Sequence, residues 1–165
     1  MPRWPFATSQ TLYALANLLR NYDQSFVSHA DYLKAIELYA NAHRWPANGL
    51  PYIGEYYDEV TGEWLKGNNP RSRFYNHSTF CDLIITGLVG LVPRADETIE
   101  IDPLLPGDSW AYFCLDNVSY HGRHLTILWD RDGTRYRRGA GLILIVDGKP
   151  VATSPTLSKL STQLK

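Results

Sequence analysis

Apolar residues before Pro93 recur every three to four positions in two stretches, and this period predicts helices over residues 9–22 and 29–44. Thr8 or Ser9 is expected to cap the first helix. Ser28, followed three residues later by Asp31, gives a capping-box pattern for the second. The apolar stripes consist of Leu12, Leu15, Leu19 and Tyr22 in the first helix, and of Tyr32, Ile36, Tyr39 and His43 in the second.

Residues 78–92 form a third helical prediction, which Pro93 would end. Because apolar side chains cover most of the circumference of such a helix, we expect it to be buried on several sides. Residues 45–76 differ from both neighbours, since their prolines and glycines exclude a long helix while their many aromatic rings argue against disorder. A loop of this length inside a compact domain is typical of a functional segment.

After Pro93 the pattern alternates between apolar and polar residues, which predicts strands. Asp147-Gly148 is a two-residue hairpin signal between the last two of them, and the tail from Ser154 onward is expected to be poorly ordered. The sequence therefore predicts an α+β fold, with a helical domain over residues 1–93 and a small antiparallel β-sandwich module over residues 94–165. The predicted strands are residues 97–101, 110–118, 124–129, 141–146 and 150–153.

Composition narrows the function classes. The net charge is −1, and the one basic cluster, residues 131–138, is best interpreted as a solvated hairpin loop, so we expect no nucleic-acid partner. No apolar run is long enough to cross a membrane. No signal-peptide pattern opens the chain. A part of the polypeptide that precedes these residues could carry one, so the sequence assigns no compartment. Cys81 and Cys114 are predicted to be buried free thiols.

The acidic loop over residues 54–64 is the strongest candidate for chemistry. Glu55, Asp58, Glu59 and Glu63 lie there among aromatic residues, in a chain that contains five Trp and eleven Tyr. Glycosidic cleavage requires two carboxyl groups that flank the bond, and flat aromatic rings suit sugar rings. The alternative is a surface loop whose acids are simply solvated. His121 and His124 have the spacing of metal ligands but lack a third ligand nearby, so no metal site is predicted, and no cofactor is expected.

The Glu-Tyr-Tyr-Asp-Glu-Val-Thr-Gly-Glu run that starts at Glu55, followed by Tyr75-Asn76-His77-Ser78 and an apolar helix, resembles the last catalytic segment of the six-hairpin glycosidases. This group includes processing α-glucosidases, trehalases and mannosylglycerate hydrolase-like enzymes. In that group this loop carries the general base, and the resemblance places it at Glu55. Glu59 and Glu63 remain rival candidates.

Two further stretches support the resemblance. Residues 3–12 are similar to the loop that contains Trp-Pro at the mouth of the barrel, although its preceding Gly-Pro is absent here. Residues 102–106, 112–117 and 120–122 are similar to the β module that follows the barrel in many bacterial members. The resemblance implies that the three helices come from the end of an (α/α)6 toroid. Because such a barrel has twelve helices, most of it would be contributed by residues outside this chain.

The resemblance also implies a mechanism. In an inverting glycoside hydrolase a general acid protonates the leaving oxygen while the base activates a water molecule on the opposite face of the sugar. The general acid of the family lies in the part that would precede Met1, so we expect little or no hydrolysis by this chain alone. Rings and one imidazole around the loop are expected to bind the carbohydrate substrate, with ordinary packing as the alternative for each ring and helix capping for His77. These residues are Trp4, Tyr56, Tyr57, Trp64, Tyr75 and His77.

Two other functions remain open at this point. The chain could be a non-catalytic carbohydrate-binding module, in which case its rings would lie on a flat face without a buried acid. It could also be a subunit whose apolar helix faces associate with another chain, either the missing part of the barrel or a second copy of itself.

Overall fold

A computed structural model describes residues 2–67, 69–75 and 79–164, and it divides the chain into two compact units, the first ending at Leu83 and the second beginning at Ile84. The first unit is built around helices and the second around antiparallel sheets, which confirms the α+β prediction. The first contains β1 (Pro2–Arg3), α1 (Pro5–Asn21), α2 (His29–Ala42), β2 (Tyr56–Asp58), β3 (Trp64–Leu65) and α3 (Phe80–Asp82).

Helix α1 begins at Pro5, four residues earlier than predicted, and Trp4 takes the capping position without a side-chain hydrogen bond. Proline is favoured at the first helical position because its missing N–H has no acceptor there in any case. The prediction that Thr8 or Ser9 caps this helix is therefore wrong. Ser9 is instead buried within the helix, where its hydroxyl donates to the Phe6 carbonyl at 2.8 Å.

Helix α2 begins with the capping box that the sequence predicts. The backbone N–H of Asp31 donates to Ser28 Oγ at 3.2 Å, and the backbone N–H of Ser28 donates to Asp31 Oδ2 at 2.9 Å. Tyr32, Ile36 and Tyr39 are buried along one face, which confirms three of the four predicted positions. The fourth, His43, follows the helix end and is half-buried.

The helix predicted over residues 78–92 is confirmed in part, because the described helical path runs from Phe80 to Leu88 only. Helix α3 has three residues and is followed by a π-helical segment, Leu83–Leu88. The N–H groups of Val89 and Gly90 donate five residues back, to Ile84 and Ile85. Gly90 then adopts a φ of +88°, a conformation that ends the helical path and that glycine tolerates best. Leu91–Val92 then forms strand β4. Ile84 and Ile85 are only half-buried, so the helical segment is less enclosed than expected.

The second unit contains two antiparallel sheets, arranged as the β-sandwich that the sequence predicts. One sheet has the order β10-β5-β4, with β5 (Thr98–Ile101) between β10 (Leu160–Gln163) and β4. The other sheet consists, in this order, of β6 (Tyr112–Tyr120), β7 (Arg123–Asp130), β8 (Gly141–Val146) and β9 (Lys149–Ser154). Alternation along β5 and β7 buries Ile99, Ile101, Leu125 and Ile127 completely, as expected for the inner faces of packed sheets.

All five predicted strands are present, and the Asp147-Gly148 turn joins β8 to β9 as expected, with both residues at positive φ. The expectation that the tail after Ser154 is poorly ordered is wrong. Strand β10 pairs with β5 in register from Leu160 opposite Ile101 to Gln163 opposite Thr98. The side-chain amide of Gln163 also donates to Thr98 Oγ1 at 2.7 Å. Backbone pairing therefore orders a polar segment that lacks a strong apolar alternation.

Both cysteines are exposed, which contradicts the prediction of buried thiols. Cys81 belongs to the single turn of α3, and a helix that short has no fully enclosed face. Cys114 lies on β6, an edge strand of the four-stranded sheet, opposite the buried Leu128. Apolar neighbours in the sequence suggested burial, but they do not enclose either thiol in the folded units.

The buried hydroxyl of Tyr32 finds no hydrogen-bond partner among the described residues, and desolvation raises the pKa of Tyr32 to about 12. Because an unsatisfied buried hydroxyl destabilises the folded state, Tyr32→Phe is expected to leave the unfolding free energy unchanged or to raise it by up to about 1 kcal/mol. Tyr39→Phe is the matched control. The Tyr39 hydroxyl donates to the Pro5 carbonyl at 2.8 Å, so its loss should cost about 1–2 kcal/mol. Urea unfolding of both variants checks the pair, and an equal loss in each would contradict this account.

Candidate active site

A small three-stranded sheet brings the N-terminal stretch next to the acidic loop. Strand β1 pairs antiparallel with β2, with Arg3 opposite Tyr57, and β2 pairs with β3. Trp4 follows β1 directly, and Glu55 precedes β2 directly. Two of the sequence stretches that carry the resemblance, 54 residues apart at Arg3 and Tyr57, are therefore neighbours in the folded unit.

The Glu55 carboxylate is half-buried and is held by a buried hydroxyl. Ser72 Oγ donates to Glu55 Oε2 at 3.2 Å, and the Ser72 residue is 2% exposed. The preceding residue, Gly54, lies against the aromatic core of the unit. A Cβ atom at that position would lie 2.9 Å from Trp64 Cε3 and 3.2 Å from Tyr52 Cε1. Close packing at Gly54 thus restricts the backbone before Glu55, and the Ser72 hydroxyl restricts the orientation of the carboxylate.

Tyr56, the residue after Glu55, takes part in an aromatic stack. The rings of Trp4 and Tyr56 are stacked with their centroids 5.9 Å apart and their planes inclined by 14°. Lys66 Nζ lies 5.0 Å from the centroid of the Tyr56 ring. Its hydrogen bond to Tyr56 raises the pKa of Lys66, and the negative charge of Glu55 raises it further. The Lys66 ammonium therefore interacts electrostatically with the candidate base.

Asp58 serves the architecture of the loop. Its Oδ1 accepts hydrogen bonds from the backbone N–H groups of Val60 and Thr61, both at 2.9 Å, and these bonds lower the pKa of Asp58. Glu59 Oε2 lies 3.7 Å from Arg3 Nε, which is an exposed ion pair. Glu63 is exposed, and its carbonyl accepts from the backbone N–H of Asp58. Asp58 therefore closes the turn, and Glu55 is the acid that a buried side chain orients.

Comparison with known proteins agrees with this arrangement. Residues 2–78 match the model of the mannosylglycerate hydrolase MGH1-like glycoside hydrolase domain. Residues 93–153 match the model of the C-terminal domain of glycosyl hydrolase family 65. The chain fits the C-terminal part of a glycoside hydrolase. This confirms the resemblance that the sequence motifs indicate.

A solved structure supports the same assignment. A protein named "Sialidase" shares 56% sequence identity with this chain, with a TM-score of 0.92. The match covers 97% of this chain and 15% of that protein, so the chain spans about 15% of the length of this glycosidase relative.

The structure separates the predicted ligand-binding rings into two groups. Tyr57 and Trp64 are buried, with ring centroids 5.2 Å apart, and Trp64 Nε1 donates to the Arg44 carbonyl at 3.0 Å. Their burial favours the packing alternative, because neither ring offers a free face to a sugar. Trp4 and Tyr75 are exposed and Tyr56 is half-buried, so these three can reach a glycoside. His77 lies outside the described residues.

Ser72 and Lys66 are site residues that the sequence does not reveal. Ser72 stands 17 positions after Glu55 in a polar stretch without periodicity, and nothing in its neighbours distinguishes it from a loop serine. Lys66 adopts a φ of +60°, which the sequence also gives no reason to expect. Only the folded loop brings the Ser72 hydroxyl to the Glu55 carboxylate and the Lys66 ammonium to the Tyr56 ring.

Two further findings concern the part of the chain that the structure describes. No group of three His, Cys, Asp or Glu side chains there is arranged to hold a metal ion. His121 Nε2 lies 3.0 Å from the Arg94 carbonyl, which gives this imidazole a backbone partner.

None of the helices described is both long enough and apolar enough to cross a membrane.

Proposed function

We propose that Glu55 is the general base of an inverting glycoside hydrolase that cleaves a glycoside or oligosaccharide. The hydrogen bond from the buried Ser72 hydroxyl to Glu55 Oε2 carries this proposal. A general base must be ionised and fixed within hydrogen-bond reach of the proton it removes. The Ser72 hydroxyl donates a hydrogen bond to one of the two carboxylate oxygens and holds the carboxylate in place. With Oε2 engaged by Ser72, we assign Oε1 to the attacking water molecule.

The reaction proceeds in one displacement. Glu55 takes a proton from water, the water oxygen attacks the anomeric carbon, and the glycosidic bond breaks on the opposite face. A protonated carboxylic acid donates its proton to the departing oxygen, so the products are a free sugar of inverted configuration and an alcohol. The two carboxyl groups of such enzymes lie about 6.5–9.5 Å apart, which leaves room for the water molecule.

The general acid is assigned to a part of the polypeptide outside these residues. The long solved relative supports this, because residues 1–165 correspond to only 15% of its length. This chain alone is therefore expected to hydrolyse glycosides slowly or not at all. By the same reasoning, we propose that another part of the polypeptide covers the apolar groove along α1 and α2, where Thr11, Leu15, Leu38 and Ala42 are among the lining residues. Preceding helices of the same polypeptide are the proposed cover.

The exposed rings near Glu55 are assigned to the carbohydrate substrate. The stacked Trp4–Tyr56 pair presents the flat surface of Trp4, and sugar rings pack well on such surfaces through their apolar C–H faces. Lys66, beside Tyr56, is placed to donate a hydrogen bond to a ligand oxygen. Tyr75 supplies a further exposed ring.

The configuration of the first product tests the inverting mechanism. The full-length polypeptide that contains these residues is mixed with the p-nitrophenyl glycoside that it cleaves best, and proton NMR records the anomeric signals before mutarotation. We expect the first free sugar to have the anomeric configuration opposite to that of the substrate. A first product of the same configuration as the substrate would identify a retaining enzyme and would contradict the role of Glu55 as the base that activates water.

A further inference from the structure

The first unit has a concave cleft whose lining residues do not include Glu55. Its volume is about 500 Å³, within the usual range for small-ligand sites. Three aromatic rings, an aliphatic side chain, an amide and a guanidinium group contribute to its lining. These residues are Trp45, Tyr52, Phe74, Leu50, Asn48 and Arg73.

The walls of this cleft are held in place. Trp45 packs edge-on against Tyr52 with ring centroids 4.7 Å apart. On its other side Trp45 lies against Gly67, where a Cβ atom would be only 2.2 Å from the indole ring. The Tyr52 hydroxyl donates to the Gly67 carbonyl at 3.1 Å. The cleft is therefore formed before any ligand arrives, which lowers the entropic cost of binding.

The cleft exposes apolar surface at its mouth. Leu50 and Phe74 are 61% and 57% exposed, although both are large apolar side chains. The Arg73 guanidinium lies over the Phe74 ring, 5.0 Å from its centroid. Asn48 is oriented by a hydrogen bond from the backbone N–H of Leu50 to its Oδ1, at 3.0 Å. The cleft thus presents both aromatic rings and hydrogen-bonding groups.

We propose that this cleft binds a sugar ring. A pyranose has apolar C–H faces that fit against aromatic rings and a rim of hydroxyl groups that accept hydrogen bonds from guanidinium and amide groups. A purely apolar ligand would leave Arg73 and Asn48 without a role, and a highly charged one would not match the rings. The choice of carbohydrate as the ligand class rests on the glycosidase function proposed above.

The cleft adjoins the segment that holds the candidate base. Arg73 follows Ser72 directly, and Tyr52 contacts the position of Gly54, the residue before Glu55. A sugar in the cleft therefore binds to the same loop system as the Glu55 site. It makes its contacts through a different set of side chains, so the two sites can be tested separately.

Saturation-transfer difference NMR of the full chain with trehalose, maltose and cellobiose tests the proposal. We expect transfer to the ring protons of at least one of these disaccharides. Phe74→Ala is expected to weaken its binding about three- to tenfold, the loss typical of one aromatic contact. Phe26→Ala is the matched control, since Phe26 is a 93% exposed ring of the same unit outside the cleft.

Three results would overturn the proposal: no transfer to any of the disaccharides, binding that Phe74→Ala leaves unchanged, or an equal loss in Phe26→Ala. Circular dichroism of each variant confirms that the fold is retained. The outcome is separable from that of the catalytic proposal. Binding that depends on Phe74 would stand even if Glu55→Gln kept full hydrolytic activity, and a loss of hydrolysis in Glu55→Gln would stand even if the cleft bound no sugar.

Discussion

Glu55→Gln is expected to lower kcat for glycoside hydrolysis about 10²- to 10⁴-fold in the full-length polypeptide that contains these residues. Gln has nearly the same shape as Glu and can still accept the hydrogen bond from Ser72 through its amide oxygen. It cannot remove a proton from water, so the variant loses the proposed chemistry with little change in packing. KM should change far less than kcat, because the substitution leaves the exposed rings intact.

Glu63→Gln is the matched control for this experiment. Glu63 belongs to the same loop, is exposed, and contributes its backbone carbonyl to the turn, which the substitution preserves. We expect its kcat to stay within about twofold of that of the unsubstituted enzyme, because Glu63 has no role in the proposed proton transfer. Its folding stability should change by less than about 0.5 kcal/mol, as is usual for a surface substitution. A large loss in Glu63→Gln together with an active Glu55→Gln would reverse the assignment and make Glu63 the base.

Gly90→Ala is expected to destabilise the second unit by about 3 kcal/mol. A Cβ atom at Gly90 would lie 2.3 Å from the carbonyl carbon and oxygen of Asp102, which are backbone atoms that cannot rotate away. The φ of +88° adds a conformational penalty of about 1–2 kcal/mol for any L-residue, and overpacking adds about 1–3 kcal/mol. The substitution would also disturb the hydrogen bond that the Asp102 N–H donates to the Gly90 carbonyl at 2.7 Å.

Gly148→Ala separates the two contributions. Gly148 has a similar φ of +80° in the turn between β8 and β9, but no atom lies within 4 Å of the position that its Cβ would take. It should therefore cost only the conformational term, about 1–2 kcal/mol. Amide hydrogen exchange in β7 and β8 measures the opening free energy of the second unit in both variants. Equal losses would show that the close approach of Asp102 to Gly90 contributes nothing.

The sequence predicts those elements whose local pattern agrees with their final environment. The Ser28–Asp31 capping box and the five alternating strands are such cases. The helix predicted over residues 78–92 ends early, at Leu88, because a short apolar run is compatible with a strand as well as with a helix. Gly90 at positive φ and the pairing of Leu91 with Ile101 end the helical path early, and neither feature is visible in hydrophobic periodicity. Strand β10 is missed because its pairing with β5 depends on distant residues.

In the candidate site, too, some residues can be predicted from the sequence and others only from the folded structure. The sequence makes Glu55 a candidate because the motif that contains it resembles a family of glycosidases. Its partner Ser72 cannot be identified in this way, since only the folded loop brings the two side chains together. Aromatic density indicates a ligand site but does not tell exposed rings from core rings. Trp4 and Trp64 both lie in aromatic stretches, yet the first is exposed and the second is buried.

Chemical rescue of Glu55→Ala by azide tests the central claim most directly. Azide is already an anion and needs no base, so it can attack the anomeric carbon of a p-nitrophenyl glycoside in the space that the missing carboxylate leaves. The products would be p-nitrophenolate and a glycosyl azide of inverted configuration. In the full-length polypeptide that contains these residues, we predict that azide restores p-nitrophenolate release by Glu55→Ala. Azide should not increase p-nitrophenolate release by the unsubstituted enzyme. The absence of rescue, or a glycosyl azide with the configuration of the substrate, would contradict the assignment of Glu55 as the general base.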